Sequence, residues 1–133
     1  MKELETISSE RGSRIMVLRW FARMWGLVVI LFVGWFLFMH LFSDDPGSLQ
    51  LDGAFEVFRF TCFPLSLLAG LMLAWKFELF GGLLAAGGIL AFHAGNLVVL
   101  GQAEFDWLIT GFAIPGLVHV LVWKLDRVVE NET

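Results

Sequence analysis

A single cysteine, Cys62, stands in the 133 residues of this chain. That excludes an intramolecular disulfide, a CxxC redox pair and a covalent c-type haem site, and leaves the thiol as a small packing group. Charge is scarce as well: 17% of residues are Asp, Glu, Lys or Arg, 58% are hydrophobic and the mean hydropathy is +0.77. A soluble domain of this length needs a polar shell that such a composition does not supply. No nucleophile–base pair, metal-spaced cluster or phosphate-cradling loop stands out. The chain therefore offers no catalytic motif, no cofactor ligands and no nucleic-acid surface, and the sequence does not state an activity.

What is present is length without charge. Met24–Phe42, Phe60–Trp75, Leu79–Ala103 and Trp107–Trp123 are charge-free runs of 19, 16, 25 and 17 residues. The hydrocarbon core of a bilayer takes about 20 helical residues, with roughly 17–25 tolerated. The first and third runs span unaided; the second and fourth recruit flanking residues. The expected fold is all-α, a polytopic membrane protein built as an antiparallel bundle of four transmembrane helices. Its spans lie at about 20–42, 57–75, 78–101 and 106–124, and residues 1–133 form a single membrane domain.

Basic residues are nearly missing from one set of loops. Lys2, Arg11, Arg14, Arg19 and Arg23 precede span one, Lys76 joins spans two and three, and Lys124 and Arg127 follow span four, which leaves only Arg59 on the other side. The positive-inside bias then places both termini in the cytoplasm. The outer loops are acidic, with Asp44, Asp45, Asp52 and Glu56 in one and Glu104 and Asp106 in the other. Trp20, Trp25, Trp75, Trp107 and Trp123 fall near span ends, where indole rings favour the headgroup level. Two competing readings are weaker. A cleaved signal peptide would have a shorter apolar region and a small-residue site before Ser43. A re-entrant hairpin is unnecessary because Phe60–Ala103 is long enough for two crossings.

The polar start, with Ser8-Ser9-Glu10 as a candidate helix start, leads through Arg14, Arg19 and Arg23 into span one as an interfacial turn. Such residues attract anionic lipid by about 1 kcal/mol each. Asp44–Ser48 reads as a turn, and Leu49–Phe58 as a segment along the outer surface. Pro64 and Pro115 fall inside spans two and four and are expected to kink them.

Span three holds the most distinctive pattern. Gly81, Ala85, Gly88 and Gly95 project from one side as a small-residue packing face, suited to a neighbouring span or a second copy. On an adjoining face Glu78, Gly82, Ile89, His93 and Asn96 recur at i, i+4, i+11, i+15 and i+18. Polar groups inside a membrane face the bundle interior or a wet cavity and are the default site candidates. The plainer reading gives His93 and Asn96 interhelical hydrogen bonds worth less than about 2 kcal/mol each. His119, in the inner half of span four, is placed to approach Glu78. His40 lies near the outer end of span one. Arg59 is expected to pair with Glu56, Asp52 or Glu104.

The run Ala74-Trp75-Lys76-Phe77-Glu78-Leu79-Phe80-Gly81-Gly82 resembles a family of small prokaryotic four-span membrane proteins of unassigned function, in which a Trp-basic-x-Glu turn and a Gly-Gly step join spans two and three. Pro115-Gly116 and Trp123 extend the likeness over the last half of the chain, without the Arg-rich start or the Phe-rich first span. The resemblance implies a four-helix fold in a prokaryotic cytoplasmic membrane and carries no activity. Three functional classes remain. The first is a non-enzymatic structural or accessory subunit, or a homo-oligomeric component, whose partners are the lipid bilayer and a larger membrane complex. The second is a small transporter or channel protomer using the Glu78–His93–Asn96 stripe with His119. The third, a haem or redox protein ligated by His40 and His93, requires two histidines at mismatched depths.

Overall fold

The computed structural model describes residues 1–43, 51–101 and 106–132. Among these the chain is helical: α1 (Lys2–Leu41), α2 (Ala54–Phe60), a π-helical turn (Thr61–Leu65), α3 (Ser66–Ala74), α4 (Glu78–Leu100), α5 (Trp107–Gly111) and α6 (Ile114–Glu132). Taken across their interruptions they make four rods long and apolar enough to cross a membrane: Lys2–Leu41, Ala54–Ala74, Glu78–Leu100 and Trp107–Asn131. The expected outer-loop residues Asp44, Asp45 and Glu104 lie outside the described residues.

The first rod departs from expectation. The polar start is no separate tail, and Ser8-Ser9-Glu10 starts nothing, because α1 runs unbroken from Lys2. Glu3 and Glu5 sit in its first turn, where the helix dipole favours negative charge. Nothing in residues 2–23 is a proline, so the helix has no reason to stop. At 1.5 Å per residue it measures about 60 Å, roughly twice the hydrocarbon core. Its first half therefore projects beyond the bilayer, where Ile15 and Leu18 face Leu125, Val128 and Val129 of α6.

Both interruptions precede prolines. Phe63, immediately before Pro64, has φ −146° and ψ 123°, the extended geometry that a following proline enforces. The second rod breaks there and closes through the π-helical turn. The fourth rod breaks at Phe112–Ala113, just ahead of Pro115 in the first turn of α6. Asp106 starts that rod, its carboxylate accepting the backbone N–H groups of Leu108 (2.9 Å) and Ile109 (3.3 Å).

Side-chain neighbours give the topology. Gly88 faces Ser66 and Gly95 faces Phe58, so α4 runs antiparallel to α2 and α3. Gly82 faces Gly116 and Val120, and His93 reaches Thr110, so α4 also runs antiparallel to the fourth rod. Gly26 of α1 meets Leu71 and Pro115. The rods form a ring in which α1 sits diagonally opposite α4. Val29, Val33, Leu67, Leu71, Ala85, Ile89 and Ala113 fill the middle, with Phe63 and Phe112 packed against them. The outside is as apolar as the inside: Trp35 is 66% exposed, Leu90 71% and Val98 81%. Such faces suit an apolar surrounding rather than water.

Candidate functional site

The polar residues separate into two groups, one at each end of the bundle. At the end carrying both chain termini, Arg19 projects from α1 just before the apolar run. Glu78 is the first residue of α4, where the helix N-terminus favours a carboxylate. Arg19 Nε donates to Glu78 Oε1 at 2.6 Å and Nη2 to Oε2 at 3.2 Å, a fork that crosses the bundle diagonal. The same Nη2 donates to Asp126 of α6. One turn further along α1, Arg23 Nη2 donates to the carbonyl of Trp75 at 3.2 Å, satisfying an oxygen at the end of α3. Two arginines thus tie three other rods to the first.

His119 lies beneath this network, 1% exposed, its Nδ1 without a hydrogen-bond partner. Glu78, Arg23 and Arg19 all act on it electrostatically. The expected approach of His119 to Glu78 is thus one of proximity: the carboxylate is bonded to Arg19, whose planar set of charged donors outcompetes an imidazole.

Above the network opens a cleft of about 540 Å³, walled by Arg19, Arg23, Trp75, Lys76, Phe77, Glu78, Phe80, Trp123 and Arg127. Arg23 lies 5.9 Å from the Trp75 ring centroid, Lys76 5.5 Å from Phe77 and Arg127 5.3 Å from Trp123.

At the other end, His93 Nε2 lies 3.2 Å from Thr110 Oγ1, and that hydroxyl donates to the Asp106 carbonyl at 2.8 Å. With its one proton committed, Thr110 accepts from His93, which assigns the ring proton to Nε2. Asn96 is 7% exposed and its Oδ1 has no partner. Arg59 rests on the rings of Phe92 (5.2 Å) and Phe55 (5.9 Å) rather than on Glu56. Glu56 instead reaches back over the start of α2 to accept the Asp52 backbone N–H at 3.0 Å, so a local bond has taken the expected partner. His40 lines a cavity of about 620 Å³ with Glu56 and Arg59, whereas His93 does not. Among the described residues no three His, Cys, Asp or Glu side chains converge as a metal site.

The small residues are placed on two faces. Gly81, Ala85 and Gly88 meet Gly70, Ala74 and Ser66 of α3, where Ser66 Oγ donates to the Leu84 carbonyl at 2.7 Å. Gly95 meets Phe58. Gly82 belongs to a second approach, since an added Cβ would stand 2.5 Å from the Gly116 carbonyl. Sequence reasoning missed Arg19, Arg23 and Asp126 as partners and Thr110, Gly70 and Gly116 as contacts. A buried-end Glu78 in want of a cation was the available signal for Arg19.

Residues 11–131 match a domain family of unknown function, DUF7670. The chain belongs to that family. The DUF7670 match takes in the Arg-rich segment and the Phe-rich first span as well as the last half, and so contains Arg19, Glu78 and Asp126 together. No curated protein and no solved structure matches the chain.

Proposed function

We propose that this DUF7670 protein is a non-enzymatic, integral component of a prokaryotic cytoplasmic (inner) membrane, acting as a homo-oligomer or as an accessory subunit of a larger membrane complex, with both termini in the cytoplasm. The observation that carries this reading is the dry packing between the two polar groups. Gly82 and Ile89, which separate Glu78 from His93 and Asn96 on the stripe, are buried, Gly82 against the Gly116 backbone and Ile89 in the apolar core. A polar path along α4 would need wet space at those levels. The ion network also closes the terminus end by spending Glu78 on structure. What the bundle presents outward is apolar surface between two polar ends, which suits assembly within a membrane better than conduction through a single copy.

Native mass spectrometry of the protein extracted in mild detergent tests the assembly role. The expected spectrum shows a defined homo-oligomer or a stoichiometric partner, and a bare monomer under all extraction conditions would refute it. Orientation is tested separately in cells with single cysteines at Ser8, Gly53 and Asn131, on a Cys62→Ala background. An impermeant maleimide is expected to label only the Gly53 position, and labelling of either terminal position from outside would reverse the topology.

A further inference from the structure

The cleft at the terminus end holds more positive charge than the ion network uses. Four cationic side chains line it against one carboxylate. Arg19 is consumed by Glu78 and Asp126. Arg23, Lys76 and Arg127 come from three different parts of the fold, namely α1, the α3–α4 turn and α6. Among the described residues none of the three forms an ion pair. Each is steadied against an aromatic ring, and the buried Nε of Arg23 has no acceptor. Cations held in this way have little freedom left to lose when a ligand arrives. Guanidinium forks and a lysine ammonium around an open space match the oxygens of a phosphate group. The indole rings of Trp75 and Trp123 in the cleft wall suit the depth where such side chains meet headgroups.

We propose that this cleft is a site for one phosphate-bearing group, supplied by the headgroup of an anionic phospholipid or by a soluble phosphate ester. Its volume lies within the roughly 300–1,000 Å³ of small-molecule sites, so it differs from the diffuse attraction that any basic membrane segment exerts. The site rests on the membrane crossing alone and is independent of the assembly role.

The test uses the full-length protein in mild detergent, incubated with phosphatidylglycerol and phosphatidylcholine of matched chains and read by native mass spectrometry. One phosphatidylglycerol is expected to stay bound per chain, about tenfold in preference to phosphatidylcholine. Lys76→Gln and Arg127→Gln should each weaken retention about fivefold. Lys124→Gln, which removes the same charge at the same end but outside the cleft, should leave it unchanged. All three side chains are exposed, and unaltered melting temperatures verify that the variants fold. A competition arm with millimolar glycerol 3-phosphate separates the sources: persistence of the bound lipid assigns the headgroup, and its displacement assigns a soluble ester with the same chemistry. Equal retention of the two lipids, or equal weakening by Lys124→Gln, overturns the site. Oligomeric state appears in the same spectra, so loss of the lipid preference and loss of assembly are read apart.

Discussion

Gly81→Leu and Gly88→Leu are expected to abolish or severely destabilise the folded bundle, each by about 3 kcal/mol or more. The reason is where the added atoms would go. A Cβ on Gly81 would run into the backbone of Ala74 and the carbonyl of Gly70 (2.5 Å), and backbone cannot rotate aside. A Cβ on Gly88 would meet the Ser66 side chain and the Cys62 carbonyl (2.8 Å), displacing the serine that bonds Leu84. Helix association inside a membrane depends on such close approach, because lipid tails supply no hydrophobic drive between spans. The neighbour Gly87 provides the contrast, since a Cβ there meets nothing within 4 Å. Gly87→Ala should be neutral or stabilising by up to about 1 kcal/mol, and Leu83→Phe, on the same open side, should change little. Thermal unfolding in detergent, followed by the loss of the monodisperse peak on size exclusion, measures all four. Matching melting temperatures for Gly81→Leu and Leu83→Phe would show that the small face does not pack.

That face was legible because small residues at three- and four-residue spacing have one strong physical meaning in an apolar helix. Its partner was legible by the same rule and was missed: Ser66, Gly70 and Ala74 recur at four-residue spacing along the second rod. Gly82 was assigned to the polar stripe because it shares that angular position. Only the contact with Gly116 shows that one helix carries two close approaches at different angles. The four rods themselves followed from charge-free length, and the breaks near Pro64 and Pro115 from the missing donor and the restricted residue before each proline. The length of α1 did not follow, because its first half lacks apolar periodicity and continues as helix mainly for want of anything to end it.

The polar residues were read by helical angle, which locates a side chain around an axis but not its partner across the bundle. Glu78, His93 and Asn96 share an angle on α4 and yet end in different chemistry, Glu78 on Arg19 and His93 on Thr110. Angular alignment on one helix becomes a path only when the intervening levels are open, and Ile89 closes them. Arg59 shows the same limit from another side. A lone cation suggested a carboxylate, while the local sequence offered Phe55 and the fold offered Phe92, and two ring faces hold it where Glu56 is occupied.

Arg19→Gln is expected to lower stability by about 2 kcal/mol, the largest effect of any single charge removal among the described residues. Three rods converge on this guanidinium, and neutralising it leaves two carboxylates with no cation. Glu78 is the costlier of the two, with only 12% of its side chain exposed, whereas Asp126 is 45% exposed and keeps much of its hydration. That exposure is why the figure falls below the 3–5 kcal/mol of a fully buried pair. Arg14→Gln, an exposed position five residues earlier on α1, removes the same formal charge and controls for topology and lipid attraction, and it should cost less than about 0.5 kcal/mol. Arg19→Lys should fall between the two, because an ammonium retains the charge and loses the fork that spans Glu78 and Asp126. The deciding variant is the pair Arg19→Gln with Glu78→Gln. If the single substitution acts by stranding a carboxylate at the bundle end, removing that carboxylate recovers a large part of the loss; if Arg19 matters only as one more anchor to lipid headgroups, the double variant melts no higher than the single one.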